Sequence, residues 1–248
     1  VIIGLTKVRN EAHIIGKTLD NWAQYCDAIH VYDDASTDDT VQICKKHPVV
    51  VEVVTSDYLD PNRLRAEWYN RNLILQSALR FKPDWVCYFD GDEWLYDFDR
   101  EPLADPRIVR IDIPLFDVHI TPEDVDGDPE DRQWVDPIPR MIGFFFRADA
   151  SCSFSRPDQR IMNHRVGGRA TTGRIKHFGK GWSVEQWEKK CSYYAEEFGH
   201  PGYIDKWNSR RGKAVKSNFM SDNGDPLIRW EETWTGLNRQ KENMTAMV

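Results

Sequence analysis

The segment Phe89-Asp90-Gly91-Asp92-Glu93 sets three carboxylates within four residues, directly after the apolar run Trp85–Phe89. Acids that close repel one another unless a cation joins them, and carboxylates around a tight turn suit a hard divalent ion shared with phosphate oxygens. That chemistry places a metal on Asp90 and Asp92, with Gly91 permitting a sharp turn and close approach of a ligand. A second acid-rich segment, Asp33-Asp34-Ala35-Ser36-Thr37-Asp38-Asp39-Thr40, follows the apolar run Ala28–Tyr32. Asp38 and Asp39 suit a helix start, where carboxylates favour the N-terminal dipole. Asp33 and Asp34 precede that start and can accept hydrogen bonds from a ribose hydroxyl or a base N–H. A third polar segment, Thr6–Glu11, follows Val1–Leu5.

The frame that must position these segments is legible in the alternation of patterns. Val1–Leu5, Ala28–Tyr32, Val49–Val54 and Trp85–Phe89 read as buried strands. Between them come a helix over 12–24 with Ile14, Ile15, Leu19 and Trp22 on one face, a helix capped by Ser36, and a helix over 63–80. Alternating β and α elements imply an α/β fold with a doubly wound, mostly parallel sheet, and such sheets bind ligands beyond the carboxyl ends of their strands. The three polar segments therefore converge on one rim. The second half is less regular: strands at Ile108–Ile113, Met141–Arg147 and Gly173–Gly179, an acidic loop over 121–136, and an amphipathic helix over 183–199 with Val184, Trp187, Cys191, Tyr194 and Phe198 in its stripe. With no repeat and no low-complexity linker, one domain over 1–248 is expected, divided into halves 1–112 and 113–248, the latter ending in helices.

Asn10-Glu11, the Asp33–Thr40 segment and Asp90-Gly91-Asp92 occur in the order and spacing of a family, and the chain resembles the GT-A glycosyltransferases of the family-2 type over residues 1–95. The sequence departs from the common pattern in carrying Lys7-Val8-Arg9 where many members have Pro-x-Tyr. The resemblance implies a GT-A fold, a nucleotide-sugar donor (UDP-linked), Mn²⁺ or Mg²⁺ on the D-x-D motif, and transfer of a hexose with inversion to the hydroxyl of a glycan or other acceptor. It implies nucleotide contacts from Thr6, Val8, Arg9, Asn10, Glu11, Asp33, Asp34, Asp90 and Gly91. Arg71-Asn72 resembles the family's A-R-N segment. Arg71 also falls inside the stripe of Leu64, Trp68, Leu75 and Ala78, where a guanidinium needs an anion: a diphosphate or a rim carboxylate. Arg65 is a further candidate on the same helix.

The second half must supply the acceptor side and a general base. Asp158, among Arg156, Gln159 and Arg160, leads the candidates, with Asp124, Asp117, Glu123 and Asp136 as the others. His177 would complete the metal shell, since imidazole suits Mn²⁺ better than Mg²⁺, and Lys180 would meet the diphosphate. Two rival classes remain. A nucleotidyltransferase would want a glycine-rich first loop, which Thr6–Glu11 lacks, and a silent carbohydrate-binding module would give Asp90 and Asp92 no work.

Composition sets the bounds. A formal net charge of −7 argues against a general nucleic-acid binder, and no apolar run approaches the ~20 residues of a membrane helix. Val1 leads straight into a strand-like run with no signal-peptide pattern. Five cysteines without a paired spacing suggest neither a disulfide framework nor a zinc site, so a reducing, cytoplasmic setting is expected. Among ten tryptophans, Trp22, Trp68 and Trp85 fit core faces and Trp187 the late helix, while five in the irregular half, Trp134, Trp182, Trp207, Trp230 and Trp234, are candidates for acceptor stacking.

Overall fold

A computed structural model describes residues 1–156, 160, 162–198 and 200–233. Five strands and three helices alternate through the first 96 residues: β1 (Ile2–Val8), α1 (Ile15–Trp22), β2 (Ala28–Asp33), α2 (Thr40–Lys46), β3 (Val50–Thr55), α3 (Arg63–Leu79), β4 (Trp85–Asp90) and β5 (Glu93–Tyr96). There follow α4 (Glu101–Ala104), β6 (Ile108–Asp117), β7 (Trp134–Val135), β8 (Arg140–Arg147), β9 (Ser153–Phe154), β10 (Met162–Asn163), β11 (Gly168–Thr171) and β12 (Arg174–His177). The described chain closes with α5 (Val184–Ser192), a π-helical turn over Tyr193–Glu197, α6 (Pro201–Asn208) and β13 (Ile228–Arg229).

The fold is α/β with one large, mostly parallel sheet in the order β3-β2-β1-β4-β8-β6-β12-β5, with β11 added beside β6. The pairs β1–β2, β1–β4 and β2–β3 are parallel, and β8 joins β4 antiparallel. The chain runs outward from β1 to β3 and then returns to β1's other side as β4, so the strand order reverses between β1 and β4. Crevices form at such a reversal because the connections depart in opposite directions. Register puts Lys7 beside Asp90 and Val8 beside Asp33, which brings three strand ends level.

Contacts divide the chain into two compact units. The first comprises Val1–Leu115 and Met141–Ile175, the second Phe116–Arg140 and the chain from Lys176 onward. Strand alternation in the first unit feeds two cores. Ile2, Val8, Ile29, Val31, Cys87 and Phe89 pack with Ile15, Leu19 and Trp22 of α1, while Ile3, Leu5, Val86 and Tyr88 pack with Ile74, Leu75 and Ala78 of α3. Helices thus cover both faces, as a doubly wound sheet requires. In the second unit Ile120, Trp187, Cys191 and Ala214 form a smaller core with Val125, Trp207 and Val215.

Several sequence expectations shift. Ser36 does not cap α2: its hydroxyl accepts the Asn10 N–H, and the helix starts at Thr40, whose N–H is taken by Asp38. Trp68 is 38% exposed rather than core, because its indole N–H reaches out of the stripe to the Phe154 carbonyl. Val184 is likewise exposed at the first turn of α5, although Trp187 and Cys191 are buried as the stripe requires. All five cysteines are buried and free, and no described helix is long and apolar enough to cross a membrane.

Trp22 is the hub of the first core. It is fully buried, stacks on Phe89 at 4.2 Å, and donates its indole N–H to the Glu93 carbonyl at 2.7 Å. Trp22→Ala is expected to lower unfolding free energy by about 3–5 kcal/mol, read from the denaturant midpoint at unchanged m-value.

Candidate functional site

The loops after β1 and β2 are laced into one rim. Arg9 donates to the carbonyls of Asp34 and Ala35, both at 3.0 Å, and the Asn10 side chain accepts the Thr37 N–H at 2.8 Å. In return Ser36 and Thr40 accept the N–H groups of Asn10 and Glu11, and Asp38 that of Ala12. Asn10 and Ala35 sit at positive φ (53° and 57°), a conformation asparagine tolerates and alanine adopts only under outside constraint. The Thr6–Glu11 and Asp33–Thr40 segments are therefore one structural unit, held by side chains that sequence reasoning assigned to the nucleotide. Val8 lies in the core, its carbonyl accepting the Asp34 N–H.

Beneath that rim runs a file of alternating charge, buried at Asp34 and Arg63 and half-buried at Lys7, Glu67 and Arg71. Asp34 pairs with Arg63 and, at 2.9 Å, with Lys7. Lys7 continues to Glu67 at 2.5 Å, Glu67 to Arg71 at 2.8 Å, and Arg71 to the Tyr88 hydroxyl at 3.1 Å. Burial pushes the Asp34 carboxyl upward, but Lys7 and Arg63 outweigh it and hold the group below the ordinary aspartate range. Burial has the last word at Tyr88, whose hydroxyl is driven well above its usual value despite Arg71. The anion that Arg71 meets is thus Glu67, one turn back on the same helix, rather than the diphosphate or rim carboxylate expected.

Asp33 behaves differently from its neighbour. One carboxylate oxygen accepts the Ser36 N–H at 3.1 Å, while Oδ1 is buried with no partner among the described residues, as is the Thr6 hydroxyl. Burial therefore raises the Asp33 carboxyl. Arg65 stands apart, exposed and paired with Asp60.

The acidic turn is fastened from behind by α1. Thr18 donates to the Gly91 carbonyl at 2.6 Å and accepts from the Trp94 indole at 2.9 Å. A Cβ on Gly91 would lie 3.3 Å from Val8 and 3.4 Å from Glu11, so the glycine lets the turn press against the loop after β1. Glu93 accepts the Asp90 N–H at 2.9 Å, closing the turn. Arg160 then grips it with a forked pair on Glu93 (2.7 and 2.8 Å) and a third contact to Asp90 at 3.1 Å. Asp92 is buried. A divalent ion does not fit these residues as arranged: a guanidinium already joins two of the three carboxylates, and among the described residues no group of three His, Cys, Asp or Glu could hold a metal.

The second unit carries its own charge cluster around Asp117, at the end of β6. Its carboxylate meets His177 Nδ1 at 2.5 Å, Arg140 at 2.8 Å and Lys180 at 3.0 Å. Lys180 also pairs with Asp222 at 2.9 Å, which is held by Arg210 and Lys216. Burial would raise the Asp117 carboxyl, yet His177, Lys180 and Arg140 keep it far below the usual range. His177 and Lys180, expected at the metal and the diphosphate, are thus both engaged with Asp117. Asp124 is occupied locally, accepting from the N–H and hydroxyl of Thr121 and facing Arg132 at 3.5 Å. Asp158 and Trp234 lie outside the described residues. The remaining stacking candidates serve packing: Trp134 under Arg229, Trp182 on Phe178, Trp207 on Tyr194, and Trp230 on Phe116.

No protein-family model matches the chain. Over 100 residues it is 37% identical to an uncharacterized protein of Mycobacterium bovis and to one of Mycobacterium tuberculosis, an overlap that covers 40% of this chain. The chain spans about a quarter of the length of those curated relatives, 24% of each. Among solved structures, partial likeness extends to glucosyl-3-phosphoglycerate synthase from Mycobacterium tuberculosis in complex with Mn²⁺, uridine diphosphate and phosphoglyceric acid. There the TM-score is 0.33, with 20% identity over 47% of this chain and 43% of that one. A second structure of the same synthase, with phosphoglyceric acid, gives a TM-score of 0.32 at 20% identity, covering 47% of this chain and 44% of that one. A further mycobacterial protein gives 0.33 at 18%, covering 47% and 41%.

Sequence reasoning missed Arg63, Glu67 and Arg160. Arg63 could have been found, because it shares a helix face with Asn70 and Ile74 at spacings of seven and four. Arg160 could not, since its partner Glu93 lies 67 residues away.

Two outcomes follow from this geometry. Asp34→Asn strands Lys7 and Arg63 without their shared anion and is expected to cost about 3–5 kcal/mol. Because the folded Asp34 carboxyl sits below its unfolded value, its stabilisation is full above about pH 4 and is lost as pH falls through the lower folded value. Denaturation midpoints from about pH 7 to about pH 2 should therefore fall less steeply in Asp34→Asn than in wild type. In the second unit, a Cβ on Gly179 would lie 2.6 Å from His177 Nε2. Gly179→Ala should displace that ring, shifting the His177 imidazole resonances in NMR and costing about 1–3 kcal/mol.

Proposed function

We propose that the chain is a nucleotide-sugar-dependent glycosyltransferase of GT-A type whose donor site is the rim formed by the ends of β1, β2 and β4. The observation that carries this reading is the lacing of Thr6–Glu11 to Asp33–Thr40 at the strand-order reversal, level with the acidic turn. A nucleoside diphosphate needs a polar edge for its base and ribose and a cationic floor for its phosphates. The laced loops supply the first. Asp33 Oδ1 and the Thr6 hydroxyl, buried without partners among the described residues, are the oxygens this reading assigns to donor recognition. Lys7, Arg9, Arg71 and Arg160 bring positive charge to the same strand ends, and UDP is the donor nucleotide proposed.

In this reading Asp34 acts through Lys7 and Arg63, fixing the floor rather than touching the nucleotide. Transfer is inverting: a carboxylate withdraws the proton of the acceptor hydroxyl as that oxygen attacks the anomeric carbon and the diphosphate departs on the opposite face. Such a base contributes about 10²–10⁴ in rate. Asp158 is the proposed base. Asp117 suits that work poorly, because a carboxylate held by Arg140, Lys180 and the His177 ring has little affinity for a proton. Residues 1–112 and 113–248 are proposed as the donor-side and acceptor-side halves of one transferase domain, acting on a glycan or another hydroxyl acceptor.

Calorimetry with UDP, ADP and GDP, each with and without Mn²⁺, tests the donor assignment. Saturable binding of UDP, weakened about tenfold or more by Arg71→Met, is expected. Absence of binding to every nucleoside diphosphate would overturn the assignment.

A further inference from the structure

We propose that Cys26 and Cys87 are a redox pair, closed to a disulfide when the chain folds in the presence of a small-molecule disulfide and sealed by the core afterwards. Their sulfurs lie 3.4 Å apart although 61 positions of sequence separate them. Both residues are buried, Cys26 at 6% exposure and Cys87 at 0%. A glycine makes the space they share. Gly4 of β1 pairs in register with Cys87, and a Cβ there would lie 3.0 Å from Cys26 Sγ. The missing side chain therefore lets the Cys26 sulfur settle over β1 and meet its counterpart on β4. Both ends are held by backbone: the Cys26 N–H donates to the Trp22 carbonyl at 2.9 Å where α1 ends, and Cys87 lies within β4. Among the described residues no other two cysteine sulfurs are in contact.

The step is a thiol–disulfide exchange. One cysteine thiolate attacks a sulfur of the small disulfide, breaks its S–S bond and expels one small thiolate, leaving a mixed disulfide. The other cysteine sulfur then attacks the protein sulfur of that bond and expels the second small thiolate. The two cysteine protons end on the two departing thiols, and the two electrons lost by the cysteines reduce the reagent. Closure brings the sulfurs from contact to a bond of about 2.0 Å. Exchange needs a thiolate and an open approach. In the folded chain both residues are buried, and burial, with the Cys26 sulfur adding to it, holds the Cys87 thiol well above its ordinary range. During folding neither obstacle is complete, while the native contacts already bring the two sulfurs together. The core then preserves whichever state was set. The closed pair would staple the end of α1 to β4, and α1 is the helix that holds the carbonyls of Gly91 and Glu93.

The whole chain is unfolded in denaturant with reductant and diluted into a mixture of reduced and oxidised glutathione, and free thiols are then counted in denaturant. Wild type is expected to lose two of its five thiols, with peptide mapping joining Cys26 to Cys87 and Cys26→Ala keeping all of its own. Folded, reduced wild type placed in the same mixture should lose them at least about tenfold more slowly. Three results each overturn the proposal: all five thiols retained by natively refolded chain, a cross-link between other cysteines, or equally fast loss from the folded chain. Should the chain not regain its native circular dichroism on dilution, cell-free synthesis in the same mixture replaces refolding, and the same count and map decide.

Discussion

The first unit depends on a partly buried file of ion pairs that runs across three strands and a helix. Arg63, Asp34, Lys7, Glu67 and Arg71 alternate in sign, so each charge is answered on both sides or capped at an end by a hydrogen bond. Buried charges are costly singly and tolerable only in such company. That condition fixes much else. It requires β1 and β2 to be adjacent and parallel so that Lys7 and Asp34 come within reach, and it requires α3 to lie over that pair with Arg63, Glu67 and Arg71 facing inward. It also explains why the helix bears charge in the middle of an otherwise apolar face.

A second constraint acts at the acidic turn, gripped from two directions. From α1, Thr18 and Trp22 hold the carbonyls of Gly91 and Glu93. From the segment between β9 and β10, Arg160 holds the carboxylates. The turn's backbone and its side chains are thus anchored by different parts of the chain. In the second unit Asp117 plays a role like that of Asp34, a carboxylate held by two cations and a histidine ring, which makes it a fixed point for Arg140, Lys180 and His177.

Much of this was legible in the sequence and some was not, for a consistent reason. Parallel strands are continuous apolar runs, so β1 to β4 and their order with α1 to α3 could be read directly, as could the meeting of their polar ends. The expectation of burial fails at β3, which is a half-exposed edge strand with Val51 57% exposed. What sequence could not convey was who pairs with whom. Ser36 carries an N-cap residue type, but its hydroxyl goes to a loop 26 residues away. Asp34 looks available for a ligand until register brings Lys7 beside it and α3 brings Arg63. The acidic turn looks like a metal site because the residue that neutralises it is remote in the chain. Helix stripes misled where a tryptophan has a polar end: Trp68 leaves the core to satisfy its N–H.

The lacing of the two rim loops has a consequence for inheritance. Asn10 and Ala35 hold left-handed backbone only because each loop supplies the hydrogen bonds the other needs. Neither loop is a module. A substitution accepted in one is judged by its neighbour, so the pair should drift together among relatives, and a graft of one loop from another protein would arrive without the half that gives it shape.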